Sequence, residues 1–295
     1  MNINCVFSGG GVKGFAFIGA IEALEERNFV IKKSVGTSAG AIVAGLIAAG
    51  YTSQEIKSIL NELVLTDLLD QPWLSQRFPL LKSIYLYKKM GIYKGDVLEA
   101  WLEKELATKG IHTFKDLAPE SLKIVTADIS LGRLVVIPDD LYRLYQIDPH
   151  DFSVAKSLRM SASYPYFFMP ARIESFYNGG SLMLDGGILS NFPYWILGEE
   201  QHKLKRPTLG ITLNQESNKI AVPIKNGWEM LQRLIKTMKE AHDTRYVSLL
   251  EENNILYIPI ENIEATDLHI GEEAKQSLFM LGKKHTLDFL KNWPN

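Results

Sequence analysis

The chain has 295 residues, of which 46% are hydrophobic and 22% are charged. This balance excludes a disordered chain, a collagen-like fibre and a coiled coil. Its 34 acidic and 32 basic residues leave a net charge of −2, so no general attraction to nucleic acid is expected. The single cysteine, Cys5, cannot form a disulfide within the chain or build a cysteine-rich zinc site.

Neither the N-terminus nor the most apolar stretch looks like a targeting or membrane-spanning segment. Residues 1–8 contain no basic n-region and no long apolar h-region. Residues 39–49 are continuously small and apolar, but as a helix they would rise only about 16 Å, against about 30 Å for a bilayer core. We therefore expect a cytoplasmic protein without a signal peptide or a transmembrane helix.

Predicted strands and helices alternate along the chain. This alternation indicates a mostly parallel sheet that is covered on both faces. Because no repeat or linker interrupts it, we expect one α/β domain over residues 1–295. The predicted elements are a strand at 2–8, a helix at 15–27, a strand at 30–36, a helix at 39–49, a helix capped by Thr52 and Glu55 that ends near 64, a helix at 96–106, strands at 123–128 and 133–137, a helix at 153–161, strands at 181–185 and 208–213, a helix at 227–250, a strand at 255–260 and a helix at 272–293.

A glycine-rich loop follows the first predicted strand. The segment Gly9-Gly10-Gly11-Val12-Lys13-Gly14 fits G-x-G-x-x-G between a strand and a helix, as a dinucleotide site requires. Such a site also needs an acidic residue at the end of the second strand, where this chain has Lys32, Lys33 and Ser34. Three consecutive glycines can instead direct several N–H groups at one point, which suits a phosphate or an oxyanion.

A second glycine motif follows the second predicted strand. Gly36-Thr37-Ser38-Ala39-Gly40 fits G-x-S-x-G, in which small neighbours let a serine stand on a sharp strand-to-helix turn. The alternative is that Ser38 caps a helix of small residues. Because a strand precedes the motif and an apolar helix follows it, we interpret Ser38 as a nucleophile.

A serine nucleophile needs a proton acceptor, and the sequence offers two kinds. Asp185, followed by Gly186 and Gly187, is one candidate, although Asp-Gly-Gly is also a common turn. The histidines are the other candidates, and a Ser-His-Asp site with one of them remains open. No cluster of metal-ligand residues is visible, so no metal or cofactor is expected. The four histidines after Asp185 are His202, His242, His269 and His285.

These motifs, in this order, resemble the patatin-like phospholipase family, in its bacterial branch. The family combines a glycine-rich loop, a G-x-S-x-G elbow and a later D-G-G-x-x-x-N-x-P, which here is DGGILSNFP at 185–193. The stretch SASYPYFFMP at 161–170 is also similar to the family's segment before the aspartate. The likeness is strong over residues 4–200, and residues 205–295 are expected to complete the fold.

The resemblance implies a single-domain, three-layer α/β/α sandwich with a mostly parallel central sheet. It also implies a lipid acyl hydrolase that cleaves fatty acyl esters of phospholipids or lysophospholipids, with no nucleic-acid partner. Ser38 and Asp185 would form a dyad without histidine, and N–H groups of Gly9, Gly10, Gly11 and Val12, chiefly Gly10 and Gly11, would bind the oxyanion. The supporting motif residues are Lys13, Gly14, Gly36, Gly40, Gly186 and Gly187.

Lys13 departs from the family, which usually has arginine there; lysine keeps the charge but loses the rigid bidentate fork. A segment rich in aromatic residues and lysine, 73–93, would form a lid that makes peripheral membrane contact, or an ordinary helical insert over the core. The alternatives in function are a Ser-His-Asp carboxylesterase, a nucleotide-binding protein that uses Gly9–Gly14, and a catalytically silent binding module.

Overall fold

The protein is represented by a computed structural model, which describes residues 1–72, 86–174, 180–198, 206–213, 223–227, 229–231, 233–235, 237–238, 252–261 and 263–293. The strands within these residues belong to two sheets, of which the larger has eight strands. The strands are β1 (Asn2–Phe7), β2 (Val30–Thr37), β3 (Gly91–Tyr93), β4 (Leu122–Asp128), β5 (Arg133–Ile137), β6 (Tyr166–Phe168), β7 (Ala171–Ile173), β8 (Ser181–Asp185), β9 (Thr208–Thr212) and β10 (Ile255–Tyr257).

The large sheet has a parallel part and an antiparallel part. Its order is β10-β9-β1-β2-β4-β8-β7, and β5 also pairs with β4. The five strands from β10 to β4 run parallel, as the sequence predicts. β5 and β8 run antiparallel to β4, and β7 runs antiparallel to β8. The link from β4 to β5 is only a tight turn at Gly132, which is too short for a parallel crossover.

The predicted helices are confirmed to within two residues at their described ends, except that the last one, predicted at 272–293, ends at Phe289. For the helix predicted at 227–250, the described positions up to 238 are helical, and the rest lies outside the described residues. None of the described helices is long and apolar enough to cross a membrane. The helices are α1 (Phe15–Glu26), α2 (Ala39–Ala48), α3 (Ser53–Glu62), α4 (Asp96–Thr108), α5 (Leu141–Tyr145), α6 (Val154–Ser161), α7 (Trp195–Gly198) and α8 (Glu272–Phe289).

Two hydrophobic cores cover the two faces of the large sheet. Alternate residues of β1 point in opposite directions: Cys5 and Phe7 enter the larger core, and Val6 enters the smaller one. Helices α1, α2, α4, α6 and α8 contribute buried residues to the larger core. The smaller core contains Phe192, Tyr194 and residues of α7. The chain is therefore an α/β sandwich with helices on both faces of its central sheet.

The predicted lid, residues 73–93, lies mostly outside the described residues. Its residues 73–85 are not described, residues 86–89 form one helical turn, and Tyr93 ends β3. β3 pairs with β6 in a separate two-stranded sheet. Tyr93 packs against Phe167, with ring centroids 4.9 Å apart, so the end of this segment joins the body of the molecule.

Candidate active site

Ser38 is the single residue between the end of β2 and the start of α2, on a sharp turn. Its φ and ψ angles are 55° and −126°, a strained conformation for a residue with a side chain. A Cβ atom at Gly36 would collide with the carbonyl oxygen of Gly40, and one at Gly40 would collide with the carbonyl oxygens of Phe7 and Ser8. The turn therefore requires both glycines, and it raises the partly exposed Ser38 side chain above the end of the sheet.

The Ser38 hydroxyl meets the Asp185 carboxylate directly. Its Oγ donates to Asp185 Oδ2 at 2.7 Å. The other carboxylate oxygen, Oδ1, accepts from the backbone N–H of Gly187 at 2.7 Å, and Asp185 is only 1% exposed. The carboxylate is thus fixed from one side and presents its second oxygen to the serine.

The sheet register explains how residues so distant in sequence meet. Thr37, the last residue of β2, lies opposite Val125 of β4, and the next residue of β4, Thr126, lies opposite Asp185. Gly186 passes so close to β4 that a Cβ there would collide with the Val125 carbonyl oxygen. The antiparallel β8 therefore delivers Asp185 to the edge of the sheet at which β2 ends.

Two threonine hydroxyl groups form hydrogen bonds from β2 and β4 to β8 and the segment that follows it. Thr37 Oγ1 donates to the backbone carbonyl of Ser190 at 3.0 Å, and Thr126 Oγ1 donates to that of Leu184 at 2.8 Å. Both threonines are fully buried, so these bonds are shielded from water. The turn that carries Ser38 is thereby attached to the segment that follows Asp185.

The glycine loop lies beside the serine. A Cβ at Gly9 would come 3.4 Å from the Ser38 Cβ and would collide with the side-chain oxygen of Asn191. Gly11 has a φ of +55°, and a Cβ there would collide with the Ala265 carbonyl oxygen. A short 3₁₀ helix, Gly11–Gly14, then leads into α1. Gly14 packs against α2, since a Cβ there would lie 3.3 Å from the Ala39 Cβ.

The four amides predicted for the oxyanion differ in their hydrogen bonds. The N–H of Gly9 donates to the Asn191 carbonyl at 2.8 Å, and that of Val12 donates to the Ala265 carbonyl at 3.0 Å. Within the described residues, the N–H groups of Gly10 and Gly11 have no acceptor, and both residues are partly exposed. The amides of Gly9 and Val12 are thus already bound, and the oxyanion role of the loop stays a prediction for which Gly10 and Gly11 have the available N–H groups.

The phenol of Tyr164 is buried and interacts with the charge of Asp185. Burial and the negative charge of Asp185 together raise the pKa of the Tyr164 phenol, so this phenol stays protonated at neutral pH. Of the histidines after Asp185, neither His269, which is exposed, nor His285, which lies on α8, forms a described hydrogen bond with Ser38 or Asp185, while His202 and His242 fall outside the described residues. In the part of the chain that the structure describes, no group of three or more His, Cys, Asp or Glu side chains could hold a metal ion.

A known protein family matches the part of the chain that contains these residues. The model of the patatin-like phospholipase family matches residues 5–197, which include the glycine loop, Ser38 and Asp185. The chain belongs to the patatin-like phospholipase family. This membership supports a lipid acyl hydrolase.

Relatives and solved structures agree with that family. The protein is 44% identical to protein YqhO of Bacillus subtilis over 294 residues, covering 99% of each chain. It is 29% identical over 193 residues to the probable lipid hydrolase 463L of Invertebrate iridescent virus 6, covering 64% of this chain and 60% of that protein. The crystal structure of VipD from Legionella pneumophila has a TM-score of 0.57 and 20% identity, covering 98% of this chain and 67% of VipD, and so shares the fold.

Several residues that build the patatin-like site were not assigned a role from the sequence. Asn191, whose carbonyl accepts from the Gly9 amide, is the asparagine of the D-G-G-x-x-x-N-x-P motif. The motif identified this residue, but it did not indicate the contact that the residue makes. Ser161, which accepts from the Ser38 amide, lies in the segment before the aspartate that also resembles the family. Ala265 binds the loop through its backbone carbonyl, for which a side-chain pattern provides no signal.

Proposed function

We propose that this protein hydrolyses fatty acyl esters of phospholipids or lysophospholipids, with Ser38 as nucleophile and Asp185 as general base. The observation that carries the proposal is the 2.7 Å hydrogen bond from Ser38 Oγ to Asp185 Oδ2, at the end of a sheet in a patatin-like fold. Family membership supports the acyl ester substrate. The relative 463L bears the name of a probable lipid hydrolase, which agrees with that substrate class.

The reaction would proceed in two halves at these two side chains. In the first half, Asp185 accepts the Ser38 proton while Oγ attacks the ester carbonyl carbon, and then returns that proton to the leaving alcohol. In the second half, Asp185 takes a proton from the water that attacks the acyl-serine, and returns it to Ser38 Oγ as the bond to the acyl group breaks and the fatty acid leaves. The bond from the Gly187 amide keeps Oδ2 directed at Ser38 throughout.

The glycine loop would stabilise the charge that develops on the carbonyl oxygen. The N–H groups of Gly10 and Gly11 follow Gly9, whose added Cβ would lie 3.4 Å from the Ser38 Cβ, and they are not engaged by any described acceptor. A donor of this kind typically stabilises the transition state by about 3 kcal/mol. The partial positive charge at the N-terminus of α1, just beyond the loop, favours the same oxyanion.

A lipid substrate would be met at a membrane surface. We therefore extend the proposal to peripheral membrane contact, with no nucleic-acid partner. Tyr87, in the described end of the predicted lid, has an exposed fraction of 87%, and Lys88 and Lys89 beside it are exposed too. An exposed aromatic ring next to lysines is the composition that interfacial segments use on lipid surfaces.

The test is to incubate a mixture of phospholipids and lysophospholipids with the wild-type protein, Ser38→Ala and Asp185→Asn, and to measure free fatty acids by mass spectrometry. We expect release by the wild type and loss in both variants. Equal release by Ser38→Ala would show that the assigned site is wrong.

The histidines provide the matched controls for the dyad. Alanine variants of His202, His242, His269 and His285 should each retain fatty acid release and covalent labelling of Ser38 by a fluorophosphonate. Loss of labelling in one of them would replace the dyad by a Ser-His-Asp site.

A further inference from the structure

The hydroxyl group of Ser161 lies between the nucleophile's amide and the central sheet. Ser161 ends α6 and is fully buried. Its Oγ donates to the backbone carbonyl of Val125, in β4, at 2.6 Å. The same oxygen accepts from the backbone N–H of Ser38 at 2.8 Å. One hydroxyl thus connects the turn that carries the nucleophile to the strand beside it.

The direction of these two bonds is fixed by chemistry. A serine hydroxyl has one proton, and here that proton is donated to Val125, so the lone pairs of Oγ face the Ser38 amide. Ser38 precedes the first residue of α2, so its N–H has no acceptor within that helix. Without the Ser161 hydroxyl, the Ser38 amide and the Val125 carbonyl would each lose a buried partner. The strained backbone of Ser38 could then relax to a more favourable conformation.

From this geometry we infer that Ser161 is a positioning residue, which holds the Ser38 backbone so that Oγ stays within reach of Asp185. The same segment also supports the base, because the carbonyl of Ser163, two residues later, accepts from the Asp185 N–H at 2.9 Å. The end of α6 therefore sets the separation between the two side chains. The catalytic part of this inference rests on the proposed function.

The experiment compares Ser161→Ala with a matched control on the same helix, Ser157→Ala. Ser157 is also fully buried, but its hydroxyl donates only to the Ser153 carbonyl at 2.8 Å, which the Ser157 N–H also binds. We expect Ser161→Ala to lower kcat and the rate of fluorophosphonate labelling at Ser38 by about 100-fold, the loss expected when a reacting group is misplaced by about 1 Å. KM should be unchanged, and Ser157→Ala should behave like the wild type.

Amide hydrogen exchange at Ser38 tests the same contact without any substrate. We expect this amide to exchange about fivefold faster in Ser161→Ala than in the wild type or in Ser157→Ala. If Ser161→Ala does not fold, Ser161→Cys fills the same space and keeps only a weak acceptor, and it should show the same changes to a smaller degree.

The outcomes separate this inference from the proposed function. Equal labelling and equal exchange in the wild type and Ser161→Ala would overturn the inference and leave the dyad in place. A wild-type protein that neither labels nor releases fatty acid, but whose Ser38 amide still exchanges faster in Ser161→Ala, would overturn the proposed function and support the positioning contact. A loss of kcat in Ser157→Ala as large as that in Ser161→Ala would reduce Ser161 to a general stabilising role and overturn the inference.

Discussion

The two side chains of the proposed dyad stand on regions that are built in different ways. Ser38 belongs to residues 2–48, the nucleophile region, in which β1, the glycine loop, α1, β2 and α2 follow one another along the chain. Asp185 belongs to residues 154–191, the base region, in which α6 and the short strands β6, β7 and β8 bring the chain back to β4 in the opposite direction.

The two regions also differ in what fixes their geometry. In the nucleophile region the backbone itself does so, because Gly11, Gly36 and Gly40 stand where any Cβ would collide with a carbonyl oxygen. In the base region Gly186 is constrained in the same way, but buried polar side chains also contribute: Ser161 and Ser163 bind neighbouring backbone, and Arg159 is buried among carbonyl groups. Mutations in the nucleophile region should therefore mainly lower kcat, and mutations in the base region, away from its contacts with Ser38, should mainly lower the free energy of unfolding.

The largest effect is expected where the two regions meet. Asp185→Asn keeps an oxygen that can accept from the Gly187 amide but removes the base that faces Ser38 Oγ, so the fold should be retained. We expect kcat to fall by about 10²- to 10⁴-fold, the usual contribution of a general base. Steady-state kinetics and the melting temperature check this prediction.

The double variant sharpens that result. If Ser38 and Asp185 act as one unit, Ser38→Ala combined with Asp185→Asn should lose no more activity than Ser38→Ala alone. Losses that multiply in the double variant would mean that the two side chains act independently.

A smaller loss is expected from the glycine loop of the nucleophile region. In Gly11→Ala the new Cβ would meet the Ala265 carbonyl, so the loop must move and the two unengaged amides move with it. We expect kcat to fall by about 100-fold, as for the loss of one oxyanion donor. Gly50→Ala is the matched control, because Gly50 has a φ of +88° but nothing within 4 Å of its added Cβ. An equal loss of kcat in Gly50→Ala would contradict the role given to the loop.

The base region should respond in stability more than in rate. Arg159 is 3% exposed, and its guanidinium donates to the carbonyls of Gly95 and Met169 at 2.8 and 2.9 Å. Lysine lacks the planar fork that reaches both, so Arg159→Lys should lower the free energy of unfolding by about 3 kcal/mol. Urea unfolding measures this change, and kcat well below the melting temperature should fall less than in Gly11→Ala.

The exposed Arg143 offers a control for that substitution. The Arg143 side chain is 60% exposed, and its guanidinium pairs with the Asp140 carboxylate. Arg143→Lys should therefore change the free energy of unfolding by no more than about 0.5 kcal/mol. Similar losses in Arg143→Lys and Arg159→Lys would show that the buried guanidinium does not hold the base region together.

The same contrast explains what could be predicted from the sequence. Most boundaries of the nucleophile region have a local signal, such as the glycines close to the ends of β1 and β2, so its strands and helices were predicted to within a residue or two. In the base region, β8 was predicted at its observed bounds, but its antiparallel direction depends on pairing with β4, which is far away in sequence. The three-residue strands β6 and β7 were missed, since Pro165 and Pro170 interrupt any periodic pattern there.

The site residues could likewise be predicted where the backbone requires a particular residue, and their contacts could not be predicted where packing selects them. Glycine motifs led to Ser38 and the loop, because the backbone needs those residues at those places. The partners of Ser161 could not be derived, since a serine at the end of a helix has many acceptors within reach and only the packed structure selects Val125. Which loop amides are unengaged depends likewise on a carbonyl at Ala265, more than 250 residues away from the loop.

The smallest effect on kcat is expected from the ion pair of Lys109 with Glu55, which lies outside both the glycine loop and the dyad. It tests whether a surface charge influences the reaction at the site. A hydrogen bond from Lys109 and two from Thr52 lower the pKa of Glu55 from 4.5 to about 2. Because this pKa is lower in the folded than in the unfolded chain, the contacts add stability above pH 4.5 and lose it as the pH falls towards 2. The difference in melting temperature between the wild type and Lys109→Met should therefore be present at neutral pH and narrow steadily in acid, with kcat at neutral pH unchanged. A difference that stays constant with pH would assign the effect to the contact of the Lys109 ammonium group with the Tyr51 ring, whose centroid lies 4.6 Å from Nζ, instead of to the ion pair with Glu55.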